Sequence, residues 1–103
     1  MTDRELLELA ARAADIKVEW RESVECLCYA ASPYNIAWSP LTNNGTALEL
    51  AVQLHIEIIP KKLWVWAART GLSNAIRETS GDDPMAATRR AIVRAAAALG
   101  AAK

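Results

Sequence analysis

Residues 44–69, NGTALELAVQLHIEIIPKKLWVWAAR, constrain this chain more than any other stretch. The hydrophobic period changes there with no spare residue between, so a helix must feed straight into a hairpin. Ala47, Leu50, Ala51 and Leu54 fall at helical spacing and form one apolar stripe. Asn43, Asn44 and Gly45 precede it, and Thr46 with Glu49 makes a capping-box pair, so the N-cap is either an Asn or Thr46. Ile56, Ile58 and Ile59 are then β-branched, and residues 63–68 read LWVWAA. Pro60-Lys61-Lys62 divides the two runs, and a Pro without an N–H belongs in a turn rather than a ladder.

The flanking segments supply the remaining layers. Thr2 and Glu5 form a capping box that opens a first helix ending near Asp15. Leu6, Leu9, Ala10 and Ala13 face its core side, with Leu7 and Ala14 beside them, and Arg4/Glu8 and Glu8/Arg12 are i,i+4 pairs. Ile16, Val18 and Trp20 alternate with Lys17, Glu19 and Arg21, which describes an exposed strand or an extended arm. Residues 24–31 fit a short strand or a helical turn, and Ser32-Pro33-Tyr34-Asn35 is a turn signal. Trp38 and Leu41 are placed to pack over the start of the central helix. After the hairpin, residues 70–73 read as a turn and 74–79 as a third strand. Asp82-Asp83-Pro84 starts a last helix over residues 85–100, with Met85, Ile92 and Leu99 as its stripe, Val93 and Ala96 alongside, and Gly100 as its stop. The expected fold is α+β: one domain spanning residues 1–103, with three helices packed around a small antiparallel sheet on residues 56–59, 63–68 and 74–79.

Composition limits both the core and the function. The apolar fraction is 52%, but 21 residues are Ala and there is no Phe, so four Trp and the Leu, Ile and Val set supply the bulk. Formal net charge is zero, which argues against a strongly basic nucleic-acid binder and against an acidic DNA mimic. Cys26 and Cys28 share one strand face at a poor disulfide spacing, and His55 is the sole His, so no metal or cofactor site is expected. The expected role of the cysteines is that of two small buried hydrophobes in a reducing cytosol. The N-terminus is charged from Asp3, and no apolar run approaches the ~20 residues of a membrane span. The expectation is a cytoplasmic protein without a signal peptide or membrane contact.

Trp38-Ser39-Pro40-Leu41-Thr42-Asn43-Asn44-Gly45-Thr46-Ala47, followed by Leu50-Ala51-Val52-Gln53-Leu54, carries a W-x-P segment, an Asn-Asn-Gly turn and an A-x-x-L-A-x-x-L helix. Residues 87–97 read ATRRAIVRAAA, with Gly100 beyond. This pattern resembles small tailed-phage and prophage proteins of the phage ABA-sandwich type, over residues 36–100. Its turn departs from the family's commoner acidic residues, and residues 16–31 match nothing in the pattern. The resemblance implies a layered α/β fold and a phage origin in a bacterial host cell. It implies no reaction.

Candidate sites follow from residue type. Trp64 and Trp66 share one face of a strand whose other face carries Leu63, Val65 and Ala67. Two apolar faces describe a central strand covered by helices on both sides, and the other reading is an aromatic platform for a base or a partner side chain. Arg89, Arg90 and Arg94 lie on the last helix, with Arg90 and Arg94 sharing its outer face. They form a solvated face or, with Lys61, Lys62 and Arg69, an anion-binding patch, and they are the second candidate partner-binding surface. His55 sits at a helix–strand junction, where Glu49, Glu57 or Glu78 could orient it, but no nucleophile stands at a usable spacing. Trp20, Arg21, Tyr29 and Tyr34, flanked by Glu19, Glu22 and Glu25, make residues 19–34 the expected interaction surface, because Trp, Tyr and Arg dominate interface energetics; the other reading is that Trp20 closes one end of the core. The functional expectation is a non-enzymatic phage accessory protein that binds a host or phage protein and blunts host defence, as an anti-CRISPR protein does. Homodimerisation stays open. A cyclic-nucleotide sponge or sensor and a small enzyme are the alternatives.

Overall fold

In a computed structural model, residues 1–69 and 75–103 are described. The expected turn at 70–73 and the first residue of the expected third strand, Asn74, lie outside them. The element order is α1 (Asp3–Ala13), β1 (Val18–Arg21), β2 (Cys26–Tyr29), α2 (Asn44–Leu54), β3 (Ile56–Pro60), β4 (Trp64–Arg69), β5 (Ile76–Thr79) and α3 (Pro84–Ala101). The fold is α+β, with three helices and two small antiparallel sheets. No helix among the described residues is long and apolar enough to cross a membrane.

Each helix starts where a side-chain oxygen can take an orphan N–H of the first turn. Thr2 accepts from Glu5 N, Asn43 from Thr46 N and Asp83 from Ala86 N, and Pro84 follows Asp83 at the first helical position. α2 ends on His55, whose left-handed backbone (φ 56°) turns the chain at once into β3. β3, β4 and β5 pair in sequence order, with Ile59 opposite Trp66 and Trp66 opposite Arg77.

The centre of the molecule is α3 rather than the helix–hairpin stretch. It packs against α1, α2 and all three strands of the β3–β5 sheet. Its buried face is mostly Ala, with Ile92 and Val93 as the bulk, so neighbours come close on more than one side. Met85, expected in the apolar stripe, is exposed instead. Gly100 does not stop the helix, which runs on to Ala101. Its role is steric: a Cβ there would lie 1.8 Å from the Leu9 carbonyl oxygen, so α1 and α3 cross almost backbone to backbone. Ala10, Ala11, Ala13 and Ala14 complete this small-residue contact. In place of the expected pair with Glu8, Arg12 donates to the carbonyl of Lys103, across the same crossing.

That crossing explains a second departure. The expected cover on both faces of β4 is found on one only. Val65 and Ala67 are buried in the core with Ala91, Ile92 and Leu50. Trp64 and Trp66, on the opposite face, are half-buried and outside that core. A third helix was available to cover them, but α1 buries its Ala face on α3. Leu63, before the strand, is 66% exposed.

Residues 16–38 form the second sheet. β1 pairs with β2, with Trp20 opposite Leu27. The segment 36–38 continues the pairing: Tyr29 N donates to Ile36 O, and Trp38 N to Leu27 O. Trp38 and Leu27 are buried beneath it, and Tyr29 packs against the main core.

Candidate functional site

Where α1, the β1–β2 hairpin and the segment 38–42 meet, they leave an open cleft of about 360 Å³. Its floor is apolar: Leu7, Trp20, Leu27, Trp38 and Leu41. Asp3, Arg4 and Glu25 stand among the lining residues as the charged groups. The volume falls at the low end of pockets that hold a small molecule, ~300–1,000 Å³.

The walls are held by specific contacts. The Arg4 guanidinium lies 4.6 Å from the centre of the Trp20 ring, and Arg4 Nε reaches Glu8 at 3.2 Å. Trp20 Nε1 donates to Glu22 Oε1 at 3.0 Å. Arg90 pairs with Asp3 at 3.0 Å, which ties the first turn of α1 to α3. Arg89 donates to Leu41 O and Asn44 Oδ1, joining the 38–42 wall to the start of α2.

Arg21, expected as a contact residue, is a clamp. Its side chain is 16% exposed, and it donates to Glu19, to Asn35 and to the carbonyls of Tyr29, Ser32 and Tyr34. One planar fork therefore holds the loop 29–35 against the hairpin, a geometry suited to guanidinium and not to ammonium. Tyr34 stands on that loop with 73% of its surface exposed. Of the expected residues on 19–34, Trp20 lines the cleft; Arg21, Tyr29 and Tyr34 do not.

The three arginines of α3 do not converge. Arg89 serves Leu41 and Asn44, Arg90 serves Asp3, and Arg94 holds Glu78 at 2.7 Å and the Arg77 carbonyl. All three are half-buried rather than on a solvated face. The narrow Ala surface of α3 brings neighbouring elements within reach of these long side chains, so each is bound to a different one. Engaged by three different neighbours, Arg89, Arg90 and Arg94 are not gathered into one anion-binding cluster.

Cys26 and Cys28 are free thiols with sulfurs 3.8 Å apart, and Cys26 lines the cleft. Burial pushes the Cys28 thiol up, and the hydrogen bond and charge of Cys26 push it the same way. A thiol held protonated is a poor nucleophile. Among the described residues no group of three or more His, Cys, Asp or Glu could hold a metal. His55 lines a shallower cleft with Leu48, Ala51, Val52, Ile56, Glu57 and Ile58, where neither Ser nor Cys stands. Glu78, one of its candidate orienting groups, is bound to Arg94.

Asp3, Arg4, Leu27 and Leu41 are not legible as site residues in the sequence. Arg4 has the spacing of an ordinary helix pair, and Leu41 that of a packing residue. Their meeting depends on contacts between segments far apart in the chain. No protein family, curated protein or solved structure matches the chain.

Proposed function

We propose that this chain is a non-enzymatic binding protein that holds a bulky apolar side chain of another protein in the cleft at Trp20. The observation that carries this reading is the composition of the cleft. Its floor is Leu and Trp, its arginine lies over Trp20, and its first-turn aspartate is paired with Arg90. Protein interfaces draw most of their energy from one or two anchors that fill such desolvated pockets. An acid–base mechanism needs paired titratable groups facing a reacting atom, whereas Asp3 is engaged by Arg90 and Arg4 lies over Trp20.

The occupant's neighbours follow from charge. Glu22 and Glu25 are exposed at the hairpin tip, and neither belongs to an ion pair among the described residues. A partner segment that carries Lys or Arg beside its apolar anchor complements them. The resemblance implies a phage or prophage origin in a bacterial host cell; to that setting we add the role of an accessory protein that binds a host or phage protein and blunts defence.

The test is affinity capture from infected bacterial cells with three baits: the wild type, Trp20→Ala and Trp66→Ala. Mass spectrometry then compares bound proteins and bound metabolites. The reading expects a protein retained by wild type and Trp66→Ala and lost by Trp20→Ala. A nucleotide retained by all three, with no such protein, would favour the sponge.

A further inference from the structure

We propose that the open face of the β3–β5 sheet binds single-stranded nucleic acid, independently of the Trp20 cleft. Ile59, Trp66 and Arg77 form one row across the three strands. Trp64 stands in the next row, opposite Thr79, and the Arg77 guanidinium lies 4.2 Å from the centre of its ring. Among the described residues no helix belongs to a core on this side; the core lies on the Val65 and Ala67 side. Lys61 and Lys62 are exposed in the turn just before Trp64, closed by Lys61 N donating to Trp64 O. Among the described residues, no ion pair engages Lys61, Lys62 or Arg77. The one carboxylate on the outer rows, Glu57, lies opposite Ala68, at the other end from the lysines.

Zero net charge conceals this arrangement. Residues 1–56 carry eight carboxylates and four Lys or Arg, and residues 57–103 carry four carboxylates and eight Lys or Arg. Of those eight, Arg90, Arg94 and Lys103 are paired internally, while Arg77 lies over Trp64 and Lys61 and Lys62 stand in the turn that leads into it. Indole faces and guanidinium planes stack on any unpaired base, and flanking cations follow the phosphates. A duplex hides its base faces, so it gains only the charge. Acidic side chains also meet the charge but have no flat face to stack on the rings as a base does. The combination therefore selects a single strand of DNA or RNA.

The test is fluorescence anisotropy with labelled single strands of roughly 12 nucleotides, within the ~4–16 covered by one small binding domain. Titrations run at about 50 and 200 mM salt, the range in which phosphate contacts show their salt slope. Matched duplex and polyglutamate serve as competitors. Binding to the single strand is expected, with tryptophan quenching and weak competition from both. Trp66→Ala should weaken binding at least about fivefold, the low end of one stacked base. The double variant Lys61→Gln, Lys62→Gln should flatten the salt slope by one to two, since it takes about two cations off the phosphates. Lys17→Gln, on the other sheet's lead-in, should change nothing. Should Trp66→Ala lower the unfolding midpoint, Arg77→Gln, an exposed substitution, takes its place with the same expected direction. No binding at low salt would overturn the proposal. Duplex or polyglutamate competing as well as the single strand would also overturn it, polyglutamate marking an acidic protein as the occupant.

Discussion

Replacing Gly100 by Ala reverses the sign that helix propensity alone would give. Ala is favoured over Gly inside a helix by about 1 kcal/mol, so an uncrowded site would gain stability. Gly100 is crowded: the added Cβ would sit 1.8 Å from the Leu9 oxygen, 2.7 Å from the Leu9 carbonyl carbon and 3.3 Å from Ala13 N. These are backbone atoms that no rotamer change can move. Relief requires α1 to withdraw from α3 by about 1 Å, and a gap of that size forfeits roughly a quarter to a half of each affected dispersion well. The packing at stake is that of Ala10, Ala13 and Ala14, all buried in the core. Overpacking of this kind costs about 1–3 kcal/mol, and rigid backbone places this case at the upper end. Less the propensity gain, Gly100→Ala should destabilise by about 2 kcal/mol and lower Tm by about 8–16 °C. Urea unfolding followed by far-UV circular dichroism measures it, with Ala98→Gly on the exposed side of α3 as the propensity control. A Gly100→Ala protein as stable as wild type, or more so, would refute the close crossing on which the arrangement of α1 and the open sheet face depends.

Arg21→Ala should cost about 2–3 kcal/mol, because it orphans several carbonyls that accept from one charged donor, and Arg21→Lys should recover less than half; chemical denaturation of both variants checks this. Ser80 Oγ is buried and has no hydrogen-bond partner among the described residues, so Ser80→Ala should be neutral or stabilising by up to about 1 kcal/mol, read from the same midpoints. The Cys28 thiol is raised above its ordinary 9.0 in the fold, so the unfolded chain loses its proton first as pH rises. The thiol's contribution is present below pH 9.0 and is lost above it, so wild type should lose stability relative to Cys28→Ala only when denaturation is repeated above that pH.

Local chemistry is legible in the sequence where a single side chain answers to a backbone atom three residues away. Thr2, Asn43 and Asp83 cap the helices, and Asp83-Pro84 marks the start of α3. The helix-to-hairpin stretch is legible too, because a change of period leaves few alternatives. The identity of each neighbour is not. Alternating apolar residues on β4 say that both faces tolerate burial, not that enough helix exists to bury both. Gly100 looks the same in sequence whether it ends a helix or admits another backbone. Arg21, Arg89 and Arg94 each look like surface charge until the carbonyls and carboxylates they hold, from neighbouring strands and loops, are placed. The cleft at Trp20 joins residues 3 to 42, and none of its lining forms a local motif.

The most direct measurement on the Trp20 cleft is a pair of binding isotherms for the captured protein, against wild type and Trp20→Ala, with unfolding midpoints taken on the same preparations. Trp20 is half-buried and gives up its contact with Arg4 and its hydrogen bond to Glu22, so Trp20→Ala should cost about 1–2 kcal/mol, the sum of one exposed cation–π contact and one hydrogen bond. Affinity should fall at least about tenfold, as for the loss of an interface anchor. Equal affinities for the two proteins would contradict the cleft as the binding site, and so would a Trp20→Ala protein that fails to bind only because it has unfolded.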